Sequence, residues 1–243
     1  MLFGPADDQI EKVLVWQYLG FSHEGYFVEI GANDPVNGSQ TWLLEKIGWS
    51  GVLVEPLPAK AELIRAQRPR SYLFVGAATD PAKVGELVLY VGEFDALSTT
   101  AKDPGRYDPA YAGEIRVPAK TMDHILEQAG AGKIDFLSLD TEGTELDVLR
   151  GLDLTRWQPR LILMEDVVIR LDKHRYLEQN GYRLVKRTTL NNWYVPKKQP
   201  FGMTGMWERI RLFRKIYLGL PFRKLRHWRH NRRAHSAKAI TPS

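Results

Sequence analysis

Two acidic turns early in the chain have residue types and a spacing that could hold a nucleoside-containing ligand. The stretch YFVEIGAND begins at Tyr26 as an apolar strand and breaks at Gly31 into short polar residues. A second apolar run ends in Glu55, roughly 20 residues after the first turn. This spacing is typical of an acid that binds the ribose hydroxyls of a ligand at the carboxyl end of a parallel sheet.

The residues around Gly31 do not match a dinucleotide site. A G-x-G-x-x-G fingerprint lets the backbone approach a pyrophosphate, but Asn33 takes the place of its second glycine. The carboxylates of Glu29 and Asp34 would also repel a pyrophosphate. They suit a ligand with a positive centre and an amino group, such as S-adenosylmethionine, whose ribose would meet Glu55. The alternative is that Gly31 only closes a strand-to-helix turn.

A second group of acids lies where two later apolar runs end. Asp140 and Glu142 follow one run, and Glu165 and Asp166 follow the next. In an open α/β sheet both ends face the ligand crevice, so these carboxylates could converge as a general base or hold Mg²⁺. The candidate metal set is Asp140, Glu165 and Asp166. In the alternative interpretation, Asp140 or Thr141 caps a helix and Glu142 complements the helix dipole.

His174 is the candidate among the histidines for a place near the substrate. It follows shortly after the apolar run that ends at Glu165. With Asp140 and Glu142 it completes the predicted catalytic set. A lone histidine on a helix is, however, more often structural or exposed than catalytic.

Strands that alternate with helices must position these residues. The pattern predicts an α/β fold with a doubly wound, mostly parallel Rossmann-like sheet and a closing antiparallel hairpin. Residues 92–114 are rich in Gly, Asp and Pro and indicate a loop of a length often used as a lid or binding loop. Strands are predicted at 26–30, 51–55, 72–77, 87–91, 115–117, 134–139, 161–164, 182–186 and 192–195, and helices at 9–20, 39–47, 58–67, 121–129, 142–150 and 171–179.

Composition excludes several classes of chemistry. The 243 residues contain no cysteine, so disulfides, thiolate metal sites and cysteine nucleophiles are absent. The beginning of the chain has no secretory signal pattern, and no apolar run reaches the ~18 residues of a membrane span. We therefore expect a cytoplasmic protein, with peripheral attachment at the inner face of the membrane as a further hypothesis.

Charge divides the chain into two parts. The net charge is +5, but residues 197–243 contain 13 Lys or Arg and one acid, so the rest is acidic overall. We predict a catalytic domain at 1–196 and a basic amphipathic tail at 197–243. Between 207 and 228, Trp, Phe, Ile and Leu are interleaved with Arg and Lys. This composition suits an anionic membrane surface, could bind nucleic acid, or could have no partner.

Taken together, these motifs resemble the FkbM family of S-adenosylmethionine-dependent O-methyltransferases. The resemblance covers about residues 25–195, and the basic tail lies outside it. Its members methylate hydroxyls, mostly on sugars of glycolipids, polysaccharides and lipo-oligosaccharides, or on macrolide-type natural products. The matching stretches are 27–34 (FVEIGAND), 38–41 (GSQT), 44–51 (LEKIGWSG), 54–56 (VEP), 134–151 (IDFLSLDTEGTELDVLRG) and 161–165 (LILME).

The resemblance implies a methyltransferase domain that uses S-adenosylmethionine and acts on a glycan or glycolipid acceptor by direct displacement. Alternatives are an RNA methyltransferase recruited by the basic tail, which is weaker because the basic residues are separate from the catalytic part, and O-methylation of a macrolide-like product. The cofactor-binding residues so predicted are Glu29, Gly31, Ala32, Asn33, Asp34, Ser39, Glu55, Pro56, Ala77, Ala78 and Asp80, of which Glu55 would hold the ribose and the last three would lie against the adenine.

Overall fold

A seven-stranded sheet forms the centre of the molecule in the computed structural model, which describes residues 5–101 and 111–238. In the order of the sheet, the strands are β3 (Ser71–Val75), β2 (Ser50–Glu55), β1 (Tyr26–Ile30), β7 (Phe136–Leu139), β8 (Leu161–Glu165), β10 (Asn191–Pro196) and β9 (Tyr182–Thr188). The first five are parallel, and β10 pairs antiparallel with both neighbours. The predicted parallel sheet with a closing hairpin is therefore confirmed.

Helices cover both faces of this sheet because successive strand residues point to opposite sides. From β1, Phe27 packs with residues of the first three helices, whereas Val28 packs with residues of the next four. This arrangement is a doubly wound sheet with two apolar cores. The helices are α1 (Pro5–Tyr18), α2 (Trp42–Lys46), α3 (Pro58–Gln67), α4 (Met122–Gln128), α5 (Glu145–Arg150), α6 (Leu154–Trp157), α7 (Asp172–Gln179), α8 (Met206–Phe213) and α9 (Leu220–Lys238).

The strand order reverses between β1 and β7. From β1 the chain proceeds outward through β2 and β3, and β7 then begins the other half of the sheet on the opposite side of β1. Such a switch point leaves a crevice beyond the carboxyl ends of the strands. The functional site is therefore expected at the ends of β1, β2 and β7.

A second, three-stranded sheet was only partly predicted. It consists of β4 (Ala77–Ala78), β6 (Tyr111–Lys120) and β5 (Gly85–Gly92), with β5 and β6 antiparallel. The predicted strand at 115–117 was too short, because most of β6 is exposed and its apolar residues are interrupted by Gly, Glu, Arg and Pro, so no continuous apolar run marks it. The predicted loop ends earlier than residue 114, and its residues 102–110 lie outside the described part of the chain.

The C-terminal segment packs against the main domain. Ile216 is buried, and the Tyr217 hydroxyl lies 2.7 Å from His174 Nε2. Arg223 Nε donates to the Val168 carbonyl at 2.8 Å. A π-helical turn, Arg214–Leu218, joins α8 to α9, and residues 239–243 of the predicted tail lie outside the described part. None of the described helices has the length and apolar character that crossing a bilayer demands.

Candidate functional site

A cleft of about 300 Å³ opens at the carboxyl ends of β1, β2 and β7. It holds most of the predicted site residues and adds several polar ones that the sequence did not indicate. The predicted residues in its lining are Glu29, Gly31, Ala32, Asn33, Asp34, Glu55, Pro56, Ala77, Ala78, Asp140 and Glu142. The additional polar ones are Asn37, Ser98, Thr99, Thr100, Thr141 and Thr144.

Gly31 allows β1 and β7 to end in close contact. Its φ of +86° favours glycine, and a Cβ at this position would lie 1.8 Å from the carbonyl oxygen of Asp140. Its own N–H donates to the Val54 carbonyl at 3.0 Å. Any side chain here would push apart the two strand ends that form the floor of the cleft.

Glu55 organises the backbone around the cleft. One carboxylate oxygen accepts from the Asn33 N–H and the other from the Leu57 N–H, both at 2.8 Å. Asn33 has a φ of +38°, so this bond helps to hold a left-handed residue in the turn. Each oxygen has a second lone pair that could accept from a ribose hydroxyl. The ribose role of Glu55 stays a prediction.

Glu29 anchors the loop that follows the first turn. Its carboxylate accepts from Ser39 Oγ at 2.8 Å, from the Gln40 N–H at 2.7 Å and from Thr41 Oγ1 at 2.6 Å. Ser39, which was predicted to bind cofactor, is not in the lining of the cleft because its hydroxyl is directed at Glu29. Glu29 therefore shapes the cleft as well as lining it.

Arg68 balances these buried carboxylates, and sequence analysis missed it. Its Nε lies 2.6 Å from Glu45, and one of its terminal nitrogens lies 3.7 Å from Glu29. It also donates to Thr41 Oγ1 at 2.7 Å and to the Pro35 carbonyl at 3.2 Å. An arginine at the end of an amphipathic helix gives no local sign of being 1% exposed. The network holds the loop from 35 to 41 beside the cleft.

Asp34 is held in its ionised form at the edge of the cleft. Its Oδ1 accepts from the N–H groups of Val36 and Asn37 at 2.9 and 2.8 Å. Burial alone would raise the pKa of this carboxyl, but the two backbone hydrogen bonds and the Asn37 amide together lower it below its usual value. The charge is thus available for a cationic group of a ligand.

Two buried polar atoms in the cleft have no hydrogen-bond partner among the described residues. They are Asn33 Oδ1 and Thr141 Oγ1. Buried polar atoms are nearly always hydrogen-bonded, so unpaired ones in a cleft point to a ligand that supplies the missing partners. Acidic walls and these two atoms fit a ligand that carries ammonium, sulfonium and hydroxyl groups, as S-adenosylmethionine does.

Three carboxylates converge beside the cleft. Oxygens of Asp140, Glu142 and Glu165 lie within 4.8 Å of one another. Glu142 has a φ of +54°, which is uncommon for a residue other than glycine. Three like charges so close repel one another, and a proton or a cation would relieve the repulsion. The helix-capping interpretation of Asp140 is wrong, because α5 begins only at Glu145.

Asp166 does not join this cluster, which corrects the predicted metal set. Its carboxylate pairs with Lys173 at 3.1 Å and accepts from the Val168 N–H at 2.9 Å. Lys173 also pairs with the buried Glu145 at 3.0 Å. Burial alone would lower the pKa of Lys173, but the two carboxylates together raise it above its usual value. Asp166 is therefore part of a buried ion pair.

Asp80 lies outside the lining of the cleft, contrary to the prediction. Its carboxylate accepts from the Ala82 N–H at 2.9 Å, which caps a 3₁₀ turn, and pairs with Arg150 at 3.6 Å. An aspartate that ends a strand can serve the next turn instead of the ligand, and the local pattern does not distinguish these cases.

His174 also lies away from the cleft. It lines a separate cavity of about 240 Å³ between α7, β9 and the C-terminal segment. Its ring nitrogens lie 3.3 Å from the Tyr194 hydroxyl and 2.7 Å from the Tyr217 hydroxyl. The geometry supports a structural role in holding the C-terminal segment and gives no support to the predicted catalytic one.

We expect His174 to make folding sensitive to acid. Burial lowers its pKa below the usual 6.5, although Glu178 and Asp166 act in the opposite direction. The unfolded chain then binds a proton that the folded chain resists, so stability is fully present above about pH 6.5 and falls as pH drops towards the folded pKa. Urea unfolding should show that the free energy of unfolding falls between pH 7.5 and pH 5.5, and that this fall is smaller in His174→Phe than in the wild type. An equal loss in both proteins would contradict this, and His124→Phe, at an exposed histidine, is the control.

One wall of the cleft comes from the loop that follows β5. Ala96 and residues 98–100 line the cleft, and Thr99 bridges to Tyr90 through two backbone hydrogen bonds of 2.8 and 3.0 Å. The described part of the predicted lid or binding loop therefore borders the site. Its hydroxyl groups were not predicted as site residues, since Ser and Thr in a loop give no specific signal.

A family model described as "Methyltransferase FkbM domain" matches residues 29–184, which is more than half of the chain. Curated proteins gave no match. Similar solved structures include a methyltransferase from Geobacter sulfurreducens at 13% identity and a TM-score of 0.42, covering 81% of this chain and 89% of that chain. Another is TrmK from M. capricolum in complex with S-adenosyl-homocysteine, at 8% identity and a TM-score of 0.42, covering 99% and 100%. A third is precorrin-6Y C5,15-methyltransferase from Geobacter metallireducens, at 13% identity and a TM-score of 0.40, covering 76% and 85%.

Proposed function

Because the chain belongs to the FkbM family of S-adenosylmethionine-dependent methyltransferases, we propose that it methylates a sugar hydroxyl in a glycolipid, lipo-oligosaccharide or polysaccharide. The observation that carries the proposal is the composition of the cleft. Its described lining contains five carboxylates and several hydroxyl side chains but no Lys or Arg. Such a surface suits a cationic cofactor and a neutral, hydroxyl-rich acceptor.

The cofactor fits the arrangement of acids around Gly31. Glu29, Asn33 and Asp34 would bind the methionine part, with the unpaired Asn33 Oδ1 as a hydrogen-bond acceptor for its ammonium group. Glu55 would hold the ribose. The small side chains of Ala77 and Ala78 leave room for the adenine.

When bound, S-adenosylmethionine supplies an electrophilic methyl group that an acceptor oxygen takes from the sulfonium sulfur. The carboxylate of Asp140 accepts the proton that the acceptor hydroxyl releases. The neighbouring carboxylates of Glu142 and Glu165 favour this proton transfer, because a proton relieves the repulsion within the cluster. Hydroxyls of the cleft wall, such as those of Ser98 and Thr100, would orient a polyol acceptor. Positioning of this kind supplies much of the rate.

An RNA acceptor is the second candidate, and the basic C-terminal segment is the observation that favours it. The absence of Lys and Arg from the described lining of the cleft opposes it, since phosphates beside five carboxylates would be repelled. A macrolide-like hydroxyl is compatible with the same chemistry and differs from a sugar only in the shape of the acceptor.

An assay with labelled S-adenosylmethionine would test the proposal. The full-length protein is incubated in parallel with lipid-linked glycans, free oligosaccharides, a macrolide aglycone and RNA. We expect label in the glycan fraction, recovered as an O-methyl sugar after acid hydrolysis. Label only in methylated nucleosides or only in the macrolide would overturn the sugar assignment and leave the reaction class intact.

We expect Glu55→Ala to weaken cofactor binding at least tenfold. Charge-assisted hydrogen bonds to the ribose contribute about 1.5–3 kcal/mol each. Because Glu55 also holds the N–H groups of Asn33 and Leu57, a loss alone would not identify the ribose contact. Calorimetry should therefore compare S-adenosylhomocysteine with its 2′,3′-dideoxy analogue in both proteins.

If Glu55 binds the ribose, removing the hydroxyls weakens binding to the wild type but has little further effect on Glu55→Ala. Equal penalties in the two proteins would reject the ribose contact and leave Glu55 as a residue that only shapes the turn.

A further inference from the structure

The C-terminal helices carry an exposed surface that combines cations with large apolar side chains. We define this tail surface by a shallow depression of about 410 Å³ together with the exposed apolar residues of α8 and α9. The depression is lined by Arg211, Arg214, Lys215, Leu218, Gly219 and Phe222. The exposed apolar residues of α8 and α9 are Met206, Trp207, Ile210, Phe213, Phe222, Leu225 and Trp228.

The cations of the depression are not neutralised by the protein. No ion pair joins Arg211, Arg214 or Lys215 to a side chain that the structure describes. Burial lowers the pKa of Lys215, and the nearby charges of Arg187 and Arg223 lower it further. Cations that repel one another in this way favour the approach of an anion.

Large apolar side chains lie exposed among these cations. Trp207 is 75% exposed, Phe222 is 72% exposed and Leu218 is 59% exposed. Single exposed apolar residues are ordinary, but so many of them between Met206 and Trp228, interleaved with cations, indicate an interaction surface. A partner that buries these side chains must have an apolar interior beneath an anionic surface.

The tail surface is held against the main domain near the functional cleft. Ile216 and Tyr217 pack towards His174, and Arg223 binds the carbonyl of Val168. Val168 comes three residues after Glu165, whose carboxylate belongs to the acidic cluster beside the cleft. The contact between Arg223 and Val168 therefore lies at the same edge of the sheet as the functional cleft.

We propose that the tail surface docks on an anionic lipid bilayer, with its Arg and Lys side chains at the headgroups and its Trp, Phe and Leu side chains in the acyl boundary. A nucleic acid would satisfy the cations but would leave the aliphatic side chains in water. The proposal goes beyond methyl transfer and holds for any acceptor. For a lipid-linked acceptor, it would bring the carboxyl edge of the sheet close to the membrane.

Vesicle flotation at low salt tests the proposal with the full-length protein. The probes are vesicles of phosphatidylcholine alone and vesicles with 30% phosphatidylglycerol, an amount chosen so that the surface is clearly anionic. We expect flotation only with the anionic vesicles, and weaker flotation as salt rises. Substitution is preferred to truncation because Phe201 and Ile216 are buried against the main domain.

The charge variant is Arg211→Gln with Arg214→Gln and Lys215→Gln. Each basic residue near an anionic surface strengthens binding, so the loss of all three should weaken binding to the anionic vesicles about 100-fold. The control is Arg65→Gln with Arg70→Gln and Lys133→Gln, which removes the same charge from exposed positions of the main domain. It should bind within about twofold of the wild type, since charges away from the contact are screened.

The apolar variant is Trp207→Ser with Phe222→Ser, for which we expect at least tenfold weaker binding. Its control is Ile10→Ser with Leu63→Ser, at residues that are 57% and 50% exposed. Unchanged melting and unchanged affinity for S-adenosylhomocysteine would establish that each variant is folded.

Failure of the full-length protein to float with anionic vesicles at low salt would overturn the proposal. So would equal losses in the charge variant and its control. A different partner would be indicated if the full-length protein binds RNA and not vesicles, and if the charge variant loses that RNA binding. Nucleic acid would then replace the membrane as the partner. Each of these three outcomes can be measured without knowing which acceptor the enzyme methylates.

Discussion

Asp140→Asn is expected to lower turnover by about 10² or more while leaving the melting temperature close to that of the wild type. The side chain follows β7, lines the cleft and lies within 4.8 Å of two further carboxylates. Asparagine preserves its shape but removes the basicity that proton transfer requires. It also removes one of three repelling charges, so no large destabilisation is expected.

The control for Asp140→Asn is Asp147→Asn, which removes an acid from α5 that pairs with Lys83 at the surface. It should retain near-normal turnover. Affinity for S-adenosylhomocysteine, measured by calorimetry, should stay within a few-fold in both variants. A fully active Asp140→Asn enzyme, or one that melts far below the wild type, would contradict the role of a general base.

The convergence of Asp140, Glu142 and Glu165 leaves one chemical alternative to a simple base. Carboxylate oxygens at such distances are the ligands that Mg²⁺ prefers. A wild-type enzyme that EDTA inactivates and Mg²⁺ restores would assign Asp140 to a metal. A base predicts turnover that EDTA does not change.

Arg68→Met is expected to lower the free energy of unfolding by about 3–5 kcal/mol and to abolish detectable cofactor binding. Arg68 is 1% exposed, and its removal leaves the buried carboxylates of Glu29 and Glu45 without their cation. The loop from 35 to 41 loses its bonds to the guanidinium at the same time. Urea unfolding and calorimetry would measure the two effects.

Arg156→Met is the matched control, because Arg156 forms an ion pair with Glu127 in which both side chains are about half exposed. Exposed pairs contribute little, so this variant should unfold at nearly the same urea concentration as the wild type. Similar losses from the two substitutions would show that the buried network does not support the cleft. If Arg68→Met is destabilised but binds the cofactor with normal affinity, the network supports the fold and is not needed to form the cofactor site.

The buried network also explains how a cleft rich in carboxylates keeps its shape. Glu29 and Glu55 are each held by several donors from the protein, and Asp34 by two backbone N–H groups. Donors arranged in advance keep these side chains oriented, so a cationic ligand meets a formed site.

Local patterns in the sequence determined the central sheet and the inner wall of the cleft. Apolar runs that end in Gly31, Glu55 and Asp140 predicted three parallel strands and the residues at their carboxyl ends. These features follow from the chain alone because strand burial, turn geometry and the direction of parallel strands are set within a few residues. The family resemblance rests on the same stretches and is confirmed by the match to residues 29–184.

Only the tertiary structure decided which side chains meet across the chain. Arg68 pairs with Glu29 and Glu45 because two crossovers bring their elements together. The local periodicity of the sequence does not predict contacts between residues so far apart in the chain. Likewise, His174 was assigned to the site from its position after β8, but α7 directs it at Tyr194 and Tyr217 instead. Long-range packing selects among the partners that a polar side chain could have, and for this reason the sequence predicted where the cleft begins but not the residues that support and close it.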